Sequence, residues 1–255
     1  MSEGYVHSIE IGSFIDGPGL RFVVFLAGCP LRCQYCHNPD TWQLPAERTD
    51  SAALLKRISG SAIFLGTGRG GVTVSGGEPL MQPRFAQDLL EGSRKLGLHT
   101  ALDTSGFLGD RASDELLDAT DLVLLDIKSF DEATYRVLTG VNIAPTLRFA
   151  ERLSARGNLM WIRFVLVPGL TDDVENVEGV AHFVSTLSCV ERVEVLPFHQ
   201  MGQHKWEELG IPYQLADTES PTPEMVERVK SVFRKHGLEV DVTRVDPCER
   251  TKEAG

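Results

Sequence analysis

Three cysteines lie within eight residues of this chain, at Cys29, Cys33 and Cys36. Thiolates are soft ligands, and sulfurs at such short intervals can surround a cubane of iron and sulfide. A four-iron cluster ordinarily takes four protein ligands. The only other cysteines, Cys189 and Cys248, are isolated and far along the chain. The spacing therefore predicts a cluster whose fourth iron is open to a molecule from solution, and an open iron is a site for a reaction.

A structural zinc ion is the alternative interpretation of the same residues, with His37 as the fourth ligand. Zinc favours three or four Cys and His ligands in a tetrahedron. However, Cys36 and His37 are neighbours in sequence, so placing both side chains on one ion is awkward. The second ligand pair that is usual in zinc sites is also missing. On spacing alone, zinc stays open as the less favoured alternative.

Other residues that could contact a ligand share one position, at the end of an apolar run. They are Gly76, Gly77, Glu78, Asp103, Thr104, Asp126, Lys128 and His199. Two glycines let a backbone approach a ligand closely, and the Glu78 carboxylate can accept hydrogen bonds from a cationic amino group. Each polar residue alone would be an ordinary solvated loop residue. Together they predict polar groups converging on a concave site.

The elements that must position these residues are alternating strands and helices. Apolar runs predict strands over 21–27, 72–75, 98–103, 122–126, 159–167 and 193–196, and a last strand near 239–242. Helical spacing and capping residues predict helices over 50–58, 82–96, 114–119, 145–156, 173–187 and 223–236. This order predicts a parallel sheet, with six strand–helix units rather than eight.

Every candidate motif follows one of the six strands, and groups at the carboxyl ends of parallel strands meet on one face of a barrel. Right-handed crossovers then favour a partial (β/α)6 barrel of the TIM type over an open doubly wound sheet. We expect a single α/β domain over residues 1–242. The polar, aperiodic segment 243–255 is expected to be a disordered tail.

Composition and charge exclude several classes of function. The net charge is −11, and concentrated Lys and Arg, which a nucleic-acid backbone requires, are absent. No apolar run reaches the roughly 18 residues that cross a bilayer, and no secretory signal is visible. Five cysteines, three of them clustered, fit metal ligation in a reducing compartment. We expect a cytoplasmic monomer that binds neither nucleic acid nor membrane.

The cysteine spacing, with an aromatic residue before the last cysteine, resembles the cluster motif of the radical S-adenosylmethionine (SAM) enzymes. Further segments resemble those of the radical SAM enzymes that activate glycyl-radical enzymes. In order along the chain, these segments are Asp16–Arg21, Cys36–Asn38, Ser75–Pro79, Asp103–Gly106, Leu125–Lys128, Val167–Gly169 and Leu196–His199. The segment His204–Trp206 is also similar, but no role follows for it. The resemblance implies the partial barrel fold.

The resemblance also implies a role for each candidate residue. SAM would chelate the open iron, with Tyr35 against its adenine and Asn38 beside it. Gly76, Gly77 and Glu78 would hold its amine. Lys128 and His199 would contact its ribose and carboxylate, with Asp126 in the same cofactor site. Asp103 and Thr104 would lie beside them with a monovalent cation. Asp16 and His37 would contact the partner peptide.

The activity that the resemblance implies is reductive cleavage of SAM to a 5′-deoxyadenosyl radical, which removes hydrogen from a glycine of pyruvate formate-lyase. No cysteine lies between Cys36 and Gly76, which favours a small activase without an inserted ferredoxin-like domain. The electron donor would be a flavodoxin or ferredoxin. Such carriers are acidic, so a basic patch near the cluster, with Arg32 as a candidate, would have to overcome long-range repulsion.

Three alternatives remain open at this point. A related enzyme could activate an anaerobic ribonucleotide reductase, or it could act on a small molecule, as in deazapurine biosynthesis. The third alternative is a non-catalytic metal-binding module, either an electron carrier or a zinc module.

Overall fold

The chain forms one α/β domain, and the computed structural model describes residues 1–44, 48–66 and 69–242. Ten strands occur in these ranges: β1 (Glu3–Gly4), β2 (Val6–Ser13), β3 (Arg21–Leu26), β4 (Thr49–Asp50), β5 (Gly71–Gly76), β6 (His99–Thr104), β7 (Leu122–Asp126), β8 (Met160–Leu166), β9 (Val190–Pro197) and β10 (Val240–Val242).

Eight α-helices occur in the same ranges: α1 (Ser51–Leu65), α2 (Pro83–Lys95), α3 (Asp114–Asp118), α4 (Glu132–Thr139), α5 (Ala144–Arg156), α6 (Val174–Ser185), α7 (Gln203–Glu208) and α8 (Pro223–Lys235). Side-chain caps begin several of them. Asp50 accepts from the Ala52 N–H at the start of α1, and Asp131 accepts from the Thr134 N–H at the start of α4. None of the described helices combines the length and apolar character needed to cross a bilayer.

Eight strands form one sheet in the order β10-β9-β8-β7-β6-β5-β3-β2. Within this sheet, β3 and β5 to β10 run parallel to one another, whereas β2 pairs with β3 in the antiparallel sense. The first and last strands of this order do not pair, so the barrel is open. The small strands β1 and β4 form a separate antiparallel pair.

Burial explains why the parallel strands form where the sequence predicted them. In β7, the first four residues are buried, as expected for a strand covered on both faces. The helices pack their apolar faces outside the sheet, with Phe85, Leu89 and Leu90 of α2 buried in the main core. The carboxyl ends of the strands are left free to carry the loops that form the site.

The predicted fold is confirmed: six parallel strand–helix units and a last parallel strand form a single-domain open barrel. Besides β1 and β4, three elements were not predicted, namely β2, α4 and α7, because their sequence patterns are weak. Helix α1 was predicted, but it continues seven residues beyond Ile58 to Leu65. Most residues of β2 are exposed or half-buried, so its sequence lacks an apolar run. The predicted tail, 243–255, and Cys248 lie outside the described residues.

Candidate active site

A cavity of about 350 Å³ opens at the carboxyl ends of the parallel strands. Fourteen of the fifteen predicted site residues line it: Asp16, Cys29, Cys33, Tyr35, Cys36, His37, Asn38, Gly76, Gly77, Asp103, Thr104, Asp126, Lys128 and His199. Glu78 does not line the cavity. For most of these residues the cause is geometric, because their loops leave the carboxyl edge of the sheet. The loop of Asp16 lies between β2 and the start of β3, at the opposite edge, and reaches the middle of β5, where Thr73 Oγ1 donates to Asp16 O at 2.6 Å.

The three cysteines lie on the loop between β3 and a 3-10 turn at Pro39–Trp42. Backbone hydrogen bonds fix this loop against the end of α4: Arg32 N–H donates to Thr139 O, and Gln34 N–H donates to Leu138 O. Cys33 belongs to a small apolar cluster on this side of the barrel, and Cys29 and Cys36 pack against that cluster. The loop therefore holds its sulfurs in a largely dry place.

Burial raises the pKa of the Cys36 thiol to about 12, and the neighbouring Cys33 adds to the shift. Burial also raises the pKa values of Cys29 and Cys33. Ionised sulfurs in this environment need positive charge beside them, and metal ions supply that charge to coordinating thiolates. No three His, Cys, Asp or Glu side chains in the described ranges are arranged around one metal ion. A four-iron cluster does not require such a group, because each cysteine binds a different iron.

Two buried polar atoms in the cavity have no hydrogen-bond partner within the described part of the protein. They are the Tyr35 hydroxyl and His199 Nδ1. Unsatisfied buried polar atoms are uncommon in native structures and often face a ligand or an unseen water. The Lys128 ammonium lies over the Tyr35 ring, 5.5 Å from the ring centroid. These features fit a cavity that takes a polar ligand with an aromatic part beside the cysteines.

A stacked pair of histidines forms one wall of the cavity. The ring centroids of His37 and His199 are 4.2 Å apart, and His37 Nε2 lies 3.1 Å from His199 O. Burial, together with the nearby His37, lowers the pKa of His199 to about 4. His199 is therefore neutral at pH 7, and its ring can exchange hydrogen bonds with a ligand without adding charge.

The two glycines of the segment Ser75–Pro79 pack closely against backbone atoms of the protein itself. A Cβ at Gly76 would come within 2.3 Å of the Leu26 backbone, and a Cβ at Gly77 would come within 2.4 Å of Gly28 O. Both glycines therefore allow the end of β5 to pack on the end of β3. Their close approach is to the protein's own backbone, at the base of the cysteine loop.

Glu78 is buried beneath the cavity, and its carboxylate accepts four hydrogen bonds from the protein. The donors are Thr104 Oγ1 at 2.6 Å, Ser105 Oγ at 2.5 Å, Ser105 N at 3.0 Å and Leu80 N at 3.1 Å. Both oxygens are therefore engaged by the protein, and contact between Glu78 and a ligand amine stays a prediction. The geometry makes Glu78 the support of the Thr104–Ser105 turn, and that turn lines the cavity.

Two charged pairs form the polar side of the cavity. Lys128 Nζ lies 2.8 Å from Asp126 Oδ2. Burial opposes the charge of Lys128, but the Asp126 carboxylate together with Tyr35 and Cys33 outweighs burial, so the pKa of the lysine is raised. Asp103 accepts from Ser75 Oγ at 2.7 Å and lies 3.4 Å from Arg163. Burial raises the pKa of Asp103 to about 6, against the opposing effect of Arg163.

Arg163 is a cavity residue that the sequence interpretation missed. It lies in the middle of β8, donates to Ile15 O at 2.5 Å, and pairs with Glu194 at 3.1 Å. A buried arginine in an otherwise apolar strand was the available signal. Through Ile15, Arg163 places the loop of Asp16 at the cavity, and Ser13 Oγ donates to the Asp16 carboxylate at 2.5 Å.

Helix α7 clasps the chain that follows Cys36, which gives a role to the unassigned segment His204–Trp206. Trp206 Nε1 donates to Cys36 O at 2.8 Å, and Lys205 Nζ donates to Asn38 Oδ1 at 2.8 Å. A Cβ at Gly202 would come within 2.7 Å of His37 Cα, so a glycine is needed for this contact. The clasp ties the last strand–helix unit to the cysteine loop across the open side of the barrel.

Trp206→Phe should loosen the cysteine loop. The substitution removes the donor to Cys36 O and leaves that carbonyl without its partner, which should lower the free energy of unfolding by about 1–3 kcal/mol. We expect faster iron loss from the reconstituted variant, measured by iron content during anaerobic dialysis. Trp161→Phe is the matched control, since Trp161 is equally buried, lies near the amino end of β8 away from the cysteine loop, and donates to Glu191 of β9. Equal iron loss from both variants would contradict the clasp.

A family model, related sequences and solved structures all relate this chain to the same superfamily. A family model described as the radical SAM superfamily matches residues 23–183. The chain is 45% identical over 89% of its length to a pyruvate formate-lyase-activating enzyme of Staphylococcus epidermidis, of which it covers 93%. It is 40% identical over 93% of its length to the pyruvate formate-lyase 1-activating enzyme of Escherichia coli K12, of which it covers 98%.

Solved structures show the same fold. A domain of a pyruvate-formate lyase-activating enzyme from Bacteroides vulgatus matches with a TM-score of 0.57 and 26% identity, over 69% of this chain and 99% of that one. QueE from Escherichia coli matches with a TM-score of 0.58 over 94% of both chains. QueE is only 15% identical, so its likeness concerns the fold alone.

Proposed function

Because this chain belongs to the radical SAM superfamily and, within it, to the pyruvate formate-lyase-activating enzymes, we propose that it activates pyruvate formate-lyase by cleaving SAM. One observation carries the proposal: three cysteines and eleven further predicted site residues line the same cavity. The residues fit the cofactors because buried sulfurs call for metal charge and two buried polar atoms lack partners.

Cys29, Cys33 and Cys36 would hold three irons of a four-iron cluster, and the fourth iron would face the cavity. When bound, the cluster and SAM supply one-electron cleavage of the sulfonium and a 5′-deoxyadenosyl radical that takes hydrogen from a glycine of the partner. Leu31, Phe198 and Leu215 bury the cysteine side of this site and keep water from it.

The remaining cavity residues would bind and orient SAM. Tyr35 offers a ring face for the adenine, and ring stacking contributes on the order of 1 kcal/mol. The Lys128 ammonium, held by Asp126, and the neutral His199 would contact the ribose and carboxylate. Asn38, held by Lys205, would lie against the cofactor as well.

The turn that Glu78 supports would complete the cofactor site. Gly76 and Gly77 carry the backbone that faces the amino group, while Glu78 acts through Thr104. Asp103 and Thr104 could share a monovalent cation with the cofactor, as part of the same proposal. The partner peptide would enter past Asp16 and His37.

The partner is a glycyl-radical enzyme. We expect a flavodoxin or ferredoxin as the electron donor, a monomeric activase, and a cytoplasmic location. The net charge of −11 supports the expectation that the protein does not bind nucleic acid.

The test is anaerobic reconstitution with iron and sulfide, followed by addition of dithionite, SAM and pyruvate formate-lyase. We expect 5′-deoxyadenosine in equal amount to a glycyl radical on the partner, measured by chromatography and electron paramagnetic resonance (EPR). Absence of the nucleoside would overturn SAM cleavage. The nucleoside without a glycyl radical on pyruvate formate-lyase would overturn the partner assignment and direct the search to another substrate.

A further inference from the structure

A surface beside the cysteine loop combines one unpaired cation with exposed apolar side chains. We call it the entry face, and it consists of Arg32, Trp42, Leu44 and Val137. Val137 is 63% exposed and Leu44 is 50% exposed, whereas Trp42 is half-buried and Arg32 is exposed. The face is continuous with the loop, because Gln34 Nε2 donates to Val137 O and the Arg32 guanidinium lies 4.8 Å from the Trp42 ring.

Arg32 differs from the other cations around the site in its pairing. Lys128 pairs with Asp126, Lys205 with Asp40, and Arg163 with Asp103 and Glu194. The Arg32 guanidinium donates only to the backbone oxygens of Cys29 and Leu31, both at 2.7 Å. Within the described ranges it forms no ion pair with a carboxylate, so its positive charge is directed to solvent.

The lining of the cavity has the opposite net charge, because its four carboxylates outnumber Lys128 and Arg163. Glu10, Asp16, Asp103 and Asp126 all line the cavity, and the chain as a whole carries a net charge of −11. An acidic protein approaching the cavity would meet like charge, which costs free energy and slows association. The entry face is the place next to the cysteines where an acidic partner meets a positive charge instead.

The entry face also has direct contacts with a cluster ligand. Cys29 N–H donates to Trp42 O at 3.4 Å, and Trp42 lines the same cavity as the three cysteines. Trp42 packs edge-on against Trp206, with ring centroids 5.1 Å apart, and Trp206 donates to Cys36 O. One aromatic layer, formed by Trp42 and Trp206, therefore lies between this surface and the backbone of Cys36.

We propose that the entry face docks an acidic, low-potential one-electron carrier, which reduces the cluster across Trp42 and the cysteine loop. The inference rests on the proposed function. In this step the carrier loses one electron, the oxidised cluster gains that electron, and no bond or proton changes place. Leu44 and Val137 supply the apolar contact area, and Arg32 supplies attraction to the carrier's carboxylates. The glycyl-radical partner keeps the separate cavity mouth at Asp16 and His37.

The experiment places charge at Val137, an exposed residue of α4 that is not part of the cavity lining. Val137→Glu should slow cluster reduction by photochemically reduced flavodoxin, on the order of tenfold at low salt, and Val137→Lys should accelerate it. Stopped-flow absorbance under anaerobic conditions measures both rates. At high salt, the reduction rates of the wild-type protein and the two Val137 variants should become similar, because salt screens the charges.

Arg32→Glu tests the cation itself, and its rate should fall further than that of Val137→Glu. Arg57→Glu is the matched control, since Arg57 is an exposed residue of α1 and the change in net charge is the same. Dithionite needs no docking surface, so dithionite-driven 5′-deoxyadenosine formation should be unchanged in both Val137 variants. This readout tests the proposed function independently of the docking site.

Three outcomes would overturn the inference. In the first, flavodoxin reduces both Val137 variants at the wild-type rate. In the second, Arg57→Glu slows reduction as much as Arg32→Glu, which would make the effect one of net charge. In the third, flavodoxin reduces the cluster of the Val137 variants at the normal rate, but the variants fail to form the glycyl radical on the partner. This result would assign the entry face to the glycyl-radical partner.

Discussion

Cys33→Ala is expected to abolish SAM cleavage, with 5′-deoxyadenosine falling below detection. Cys33 is the most buried of the three cysteines and lies in the apolar cluster with Leu31, Tyr35 and Phe198. Loss of its thiolate leaves two protein ligands, which are too few to hold a four-iron cluster in place. The truncation removes one sulfur from a packed site and should cost about 1–2 kcal/mol of the free energy of unfolding, so the barrel should stay folded.

The measurements are iron and sulfide content after anaerobic reconstitution, nucleoside formation, and far-ultraviolet circular dichroism. Cys189→Ser is the matched control, because Cys189 is an exposed cysteine outside the cavity. It should keep the wild-type iron content and turnover. Turnover by Cys33→Ala, or loss of iron from Cys189→Ser, would show that the ligand set is assigned incorrectly.

Glu78→Gln is expected to weaken both the fold and SAM binding. One carboxylate oxygen accepts from Leu80 N–H, and the other accepts from Ser105 N–H. An amide presents one oxygen and one NH₂ group, so in either orientation its NH₂ faces a backbone N–H. We expect the free energy of unfolding to fall by about 3 kcal/mol, the cost of a buried donor left unsatisfied beside a lost charged hydrogen bond.

The Thr104–Ser105 turn should shift with Glu78, so the dissociation constant of SAM should rise on the order of tenfold, which corresponds to about 1.4 kcal/mol. Urea unfolding and equilibrium SAM binding to the reconstituted protein measure the two effects. Glu115→Gln, an exposed carboxylate of α3, is the control and should change neither. Normal SAM affinity in a destabilised Glu78→Gln variant would mean that Glu78 stabilises the fold but does not affect SAM binding.

The sequence predicted the parallel strands well, because burial on both faces leaves a continuous apolar signal. The strand at Leu122–Asp126 was predicted to the residue, and the helix over 114–119 was predicted to within one. The exposed antiparallel β2 and the six-residue α7 carry no such signal. Their existence depends on partners, since β2 pairs along β3 and α7 packs on the cysteine loop.

The candidate site was predictable at its cysteines and strand ends, where residue type and spacing carry the chemistry. What was missed depends on contacts between residues far apart in sequence. Lys205 reaches Asn38 across 167 positions, and Arg163 reaches Ile15 across 148. Glu78 shows the same limit, because three of the four donors to its carboxylate belong to Thr104 and Ser105, which are 26 and 27 positions away.

The most direct test of the central claim is the EPR spectrum of the reduced, reconstituted protein with and without SAM. Three cysteines that face one cavity leave one iron for SAM, so adding SAM should change the spectrum of the cluster in the wild-type protein. A cluster spectrum that is the same in both samples at saturating SAM would contradict the account, because it would mean that no iron is open to the cavity.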